Sequence, residues 1–144
     1  MINTNKVVHN GRVFAVYIRS QDWESGLHFV SKDEDFIQVG LWGYDSGKKL
    51  GPHKHVINER KINITQEVIF VKRGKLRAFI YEDNHDLIKT VDLGPGDLMI
   101  TLAGGHGYKI LEDDTQVLEV KNGPFTGLDD RVPIDEAELV EEEN

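Results

Sequence analysis

Gly47-Lys48-Lys49-Leu50-Gly51-Pro52-His53-Lys54-His55 is the stretch on which the reading of this chain turns. In an extended strand, residues i and i+2 share a face. His53 and His55 therefore point the same way, about 7 Å apart along the chain on the strand rise. Two imidazoles so placed converge on one ion with little strain. The plainer alternative is two surface histidines side by side by coincidence, and a lone His-x-His is a weak signal.

Its surroundings add weight. Five residues separate Gly47 from His53, and six separate Glu67 from Gly74. Further on, Gly94-Pro95-Gly96-Asp97 leads into the apolar run Leu98–Leu102 and then to Gly104-Gly105-His106. This double pattern resembles the cupin superfamily. That family's first motif runs Gly, five residues, His-x-His, a spacer, Glu, six residues, Gly; its second runs Gly, five residues, Pro-x-Gly, a short gap, His. The match covers Gly47 to His106. The resemblance implies a jelly-roll β-barrel, with His53, His55, Glu67 and His106 as the ligands of one divalent metal ion.

The chain departs from the pattern in two places. The spacer from the second histidine to the glutamate is eleven residues, Val56 to Gln66, where the family has three or four. Glu59 fits the short spacer but Gln66 stands where its glycine belongs; Glu67 fits the glycine and opens an apolar run, and is preferred. Asn58 to Asn63 then forms a polar loop that rims the pocket or reaches a partner subunit. In the second motif Leu102 replaces the usual proline and His106 comes one residue early. The glycines around His106 permit positive φ and can swing its ring inward.

The wider composition is compatible. With 144 residues, the chain suits one domain and one core. At 39% hydrophobic and 29% charged residues it has neither a disordered nor a membrane composition. It has no apolar run long enough to span a bilayer, and Met1–Lys6 lacks the apolar core of a signal peptide. There is no cysteine, which excludes disulfides and thiolate ligands and accords with a cytoplasmic location. The net charge of −8 is a property of one end: Asp129–Asn144 holds eight acids and one base, leaving 17 acids and 16 bases elsewhere. A near-neutral body offers no footprint for nucleic acid. The expected organisation is a barrel over 1–128 and an acidic tail over 129–144, with a short helix within Pro133–Glu143.

Alternating apolar residues punctuated by turns predict strands at Arg12–Ile18, Phe36–Tyr44, Glu67–Val71, Lys75–Tyr81, Leu87–Leu93 and Leu98–Leu102. Tyr108–Leu111 and Thr115–Val120 read as a hairpin turning at Glu112-Asp113-Asp114. Short strands at this spacing predict an all-β antiparallel sandwich or barrel.

Three functions follow from the resemblance. One is a metal-dependent enzyme on a small molecule, of mononuclear non-haem dioxygenase type, whose nitrogen–oxygen ligand set suits Fe, Mn, Ni, Zn or Cu. Another is a metal-independent isomerase or epimerase of nucleotide-linked sugars, with a histidine and Tyr108 as base and acid. The last is a binding protein without turnover. Arg77 is a candidate for a substrate carboxylate or phosphate, and Tyr108 for a proton donor on the strand face of His106. Trp42 and Tyr44 either close a barrel mouth or fill the core. His9, His28 and His85 read as surface residues. The resemblance also implies a homodimer, with Val13–Ile18 as a strand to exchange between subunits, and partners limited to small molecules, with no nucleic acid and no membrane.

Overall fold

Where Asn10-Gly11 falls between two apolar-alternating runs, the chain reverses tightly. Both residues adopt positive φ, 47° and 77°, as a two-residue hairpin turn requires. The turn joins β1 (Asn5–His9) to β2 (Arg12–Ile18). A computed structural model describes residues 2–127 and 130–134. The chain continues through β3 (Gly26–Phe29), β4 (Gly40–Gly43), β5 (Glu67–Arg73), β6 (Leu76–Tyr81), β7 (Leu87–Leu93), β8 (Leu98–Thr101), β9 (Gly105–Ile110) and β10 (Gln116–Lys121). No α-helix occurs among the described residues, only a short 3-10 turn at Ser20–Asp22.

All strand pairs are antiparallel. Five strands form one sheet in the order β1-β2-β8-β5-β10; β7-β6-β9 form a second, and β3-β4 a small third. Alternation sorts the side chains. On β5, Glu67, Ile69 and Val71 share one face; on β8, Met99 and Thr101 do. Ile69, Val71 and Met99 pack against Leu76, Ala78, Ile80, Val91 and Leu93 of the three-stranded sheet. The opposite face of the large sheet, with Val16, Ile18, Val68 and Ile100, is covered by Ile37, Val39 and Leu41.

The all-β, antiparallel expectation therefore holds, with three corrections. The sheets form an open sandwich and not a closed barrel, because the end strands β1 and β10 of one sheet and β7 and β9 of the other do not pair with one another among the described residues. The expected hairpin across Glu112-Asp113-Asp114 does not form: β9 pairs with β6 and β10 with β5, so this turn carries the chain from one sheet to the other. The strand expected at Phe36–Tyr44 is confined to Gly40–Gly43, the residues before it serving as a cover. Most of the expected C-terminal helix lies outside the described residues, and Pro133 and Ile134 are not helical. Trp42 and Tyr44 are exposed and do not fill the core. Val13–Ile18 pairs within its own sheet, with β1 and β8.

Candidate functional site

Glu67 opens β5 on the face that meets the second sheet and is buried. A carboxylate in that position must be hydrogen-bonded or paired. It is: Oε2 lies 2.8 Å from His106 Nε2 and Oε1 lies 3.3 Å from Lys121 Nζ. The strand register builds this arrangement. Lys121 on β10 stands opposite Glu67, and Thr101 on β8 stands opposite it on the other side. His106 reaches across from β9, where it pairs with Ile80 of β6. Tyr108, two residues on, shares the inward face and packs against the core; its ring lies 5.5 Å from that of His106.

The electrostatics follow from this packing. The hydrogen bond from His106 holds the Glu67 carboxyl below its ordinary pKa; burial opposes this, while the charges of His106 and Lys121 reinforce it. Burial raises the Tyr108 phenol well above its ordinary value, helped by the negative charges of Glu67 and Glu119. The phenol is therefore a protonated donor at neutral pH. Lys121 is held in its charged form by Glu119, and next by Glu67. Two buried oxygens of the cluster, Thr101 Oγ1 and Tyr108 Oη, have no hydrogen-bond partner among the described residues.

The structure brings together half of the residues that the motifs single out. Glu67 and His106 meet. His53 and His55 are exposed, in a segment from 44 to 66 that holds no strand. Their rings stand 5.3 Å apart, edge to face, and His53 Nδ1 lies 3.1 Å from the carbonyl of Gly51. Among the described residues no three His, Asp or Glu side chains stand close enough to hold an ion. Glu59 is exposed in the same segment. Arg77 is also not part of the cluster. It alternates with Ala78 and Ile80, so it leaves β6 on the other face, where Asp92 takes both its Nε at 2.6 Å and its Nη2 at 3.1 Å.

Sequence reasoning missed Thr101, Lys121 and Glu119. Nothing local marks them, since they join the site through pairings with strands far away in the chain. A surface groove of about 700 Å³ is lined by Arg12, Lys32, Phe36 and Gln66, and neither Glu67 nor His106 lines it. Compared with protein-family models, curated proteins and solved structures, the chain matches none.

Proposed function

We propose that this protein is cupin-like and handles a small hydroxylated molecule, such as a sugar, at the Glu67–His106–Tyr108 cluster, by acid–base chemistry. One observation carries the reading: two buried hydroxyls with no partner among the described residues lie beside the ion pair of buried Glu67 and half-buried His106. A buried polar group left unsatisfied costs about 1–3 kcal/mol. Two of them beside the same ion pair are best accounted for by a ligand whose own hydroxyls complete them.

The roles follow from the geometry. With Nε2–H donating to Glu67, His106 keeps a lone pair on Nδ1 and serves as the base. Glu67 orients the imidazole and stabilises the imidazolium formed when a substrate C–H proton moves to Nδ1. Tyr108 holds its proton and donates it to a substrate oxygen or carbon. Together these perform proton transfer next to a carbonyl, the step that isomerisation and epimerisation of sugars share.

The family resemblance also implies a divalent metal ion. Glu67 and His106 would supply one oxygen and one nitrogen, but among the described residues His53 and His55 do not join them. A metal-dependent enzyme of dioxygenase type remains a second reading. It is favoured by the closely facing rings of His53 and His55.

Incubation in D₂O with a panel of free and nucleotide-linked sugars tests the first reading. Deuterium should enter one C–H position of a substrate, and Tyr108→Phe and His106→Gln should each slow this by about 10²–10⁴-fold. A panel that shows neither exchange nor any shift of the Tyr108 and His106 resonances overturns it.

A further inference from the structure

Strand alternation places a row of aromatic rings on the outside of the molecule. β3 and β4 pair Leu27 with Trp42 and His28 with Leu41. Leu41 is buried in the core, so Leu27, Phe29 and Trp42, which alternate with that pair, face away from it. Phe29 is 63% exposed and Trp42 56%, and Tyr44, two residues beyond Trp42, is 40% exposed. Exposed rings set singly are ordinary, but a row of three on one small sheet is not. The Phe29 ring leans across β4 at Gly40, where a Cβ would stand 3.2 Å from its Cε1. Glycine is what admits the ring there. The Trp42 and Tyr44 rings follow, 6.1 Å apart between centroids and tilted by 36°.

Tyr44 is shared with a groove of about 500 Å³, lined also by Trp23, Glu24, Gly26, Gly43 and Asp45. Gly26 and Gly43 stand opposite each other in the strand register, so this pair puts no side chain into the space. The groove lies on the far side of the large sheet from Glu67. Trp23 stands 6.3 Å, edge to face, from the ring of Phe70, and Phe70 leaves β5 on the face opposite Glu67 and Ile69.

Rings beside carboxylates select a ligand. The C–H face of a pyranose is apolar and stacks on the negative face of an aromatic ring. Its hydroxyls donate charge-assisted hydrogen bonds to carboxylates. Anionic ligands are disfavoured, because Glu24 and Asp45 face one ammonium, that of Lys48, 5.2 Å from the Tyr44 ring. A second copy is poorly served too. The three rings of the row leave about 250–400 Å² open to solvent. That is half or less of the roughly 800 Å² that each partner of a stable dimer buries.

We propose that Trp23, Phe29, Trp42 and Tyr44, with Glu24 and Asp45, form a platform that binds a neutral glycan, a chain of uncharged sugars. The Trp42 and Tyr44 rings take successive sugar units, and the two carboxylates hold hydroxyls at the groove end. This site is separate from the Glu67–His106–Tyr108 cluster and does not depend on the chemistry proposed there.

The two tryptophans of the chain, Trp23 and Trp42, both belong to the platform, so intrinsic fluorescence reports on it directly. Titration with neutral hexasaccharides of glucose, xylose and mannose should give a saturable change in emission with at least one of them. Calorimetry should show Trp42→Ala and Asp45→Asn each weakening that binding about tenfold, with circular dichroism confirming that both variants fold. Trp42→Phe, which keeps a ring, should restore most of the affinity, and His106→Gln should leave it unchanged. No saturable change across the panel overturns the proposal. Binding that is indifferent to Trp42→Ala and Asp45→Asn, or that is lost in His106→Gln, overturns it as well. So does tighter binding of polygalacturonate than of the neutral chains, or self-association of the wild type that Trp42→Ala abolishes.

Discussion

Tyr108 and Glu67 show opposite ways in which a buried polar side chain bears on stability. The Tyr108 hydroxyl is buried without a partner among the described residues, so it costs stability in the free protein. Tyr108→Phe should therefore stabilise the fold by about 1 kcal/mol and raise the melting temperature by roughly 3 °C in a thermal unfolding scan, while slowing the proposed proton exchange by about 10²–10⁴-fold. A stabilising change that removes function marks a side chain kept for its ligand. Glu67 is partnered and should behave in the opposite sense. Its folded pKa lies below the ordinary 4.5, chiefly through the His106 hydrogen bond. Its contribution is thus fully present above the ordinary value and is lost as pH falls through the lowered one. Wild type should exceed Glu67→Gln by about 1–3 kcal/mol at neutral pH. Urea titrations at successive pH values should show the gap narrowing only below pH 4.5. A gap that is constant down to acid pH would mean that the carboxylate charge is not what stabilises.

Between elements, turns decide register, and glycines decide which turns are possible. Gly11 and Gly74 have nearly the same φ, 77° and 78°, yet different surroundings. A Cβ on Gly11 meets nothing, whereas one on Gly74 falls onto the Thr115 hydroxyl and lies 2.6 Å from the Thr115 Cα. Gly11→Ala should cost about 1–2 kcal/mol, the left-handed penalty alone. Gly74→Ala should cost about 2–4 kcal/mol, since the close approach of the β9–β10 connection adds overpacking. Chemical denaturation of the pair separates the two contributions. Another turn, Gly94-Pro95-Gly96-Asp97, is tied by its own aspartate: Asp97 accepts from Gly94 N–H at 3.0 Å, Ser20 N–H at 2.9 Å and Arg19 Nη1 at 2.8 Å. The turn is legible locally; its anchoring to Arg19 and Ser20 across the chain is not.

At the scale of the whole molecule, the arrangement is two sheets over a shared core with a polar cluster at one margin. Glu67, Thr101 and Lys121 come from adjacent strands of one sheet, and His106 and Tyr108 from the other. The cluster therefore exists only when the sheets are stacked. No described helix is long and apolar enough to cross a membrane. The exposed apolar surface is concentrated on β3 and β4 (Leu27, Phe29, Trp42), on β10 (Leu118, Val120) and on the strandless segment 49–63 (Leu50, Val56, Ile57). Surface of that kind is where association begins.

The sequence by itself determined most of the strands and the all-β class. These are legible because strand alternation and turn chemistry are local and can be read within a few residues; Glu67 and His106 are singled out only by the resemblance to the cupin motifs, and Tyr108 by sharing the strand face of His106. The sequence could not determine that Tyr108–Leu111 and Thr115–Val120 part to different sheets. Nor could it place Lys121 and Thr101 on either side of Glu67, or leave His53 and His55 outside the cluster. Those outcomes depend on which strand pairs with which across tens of residues, and hydrogen-bonding partners at that distance leave no periodic trace in the chain. Only the tertiary structure, by stacking one sheet face on another, decided which polar side chains were buried together and which hydroxyls were left without a partner.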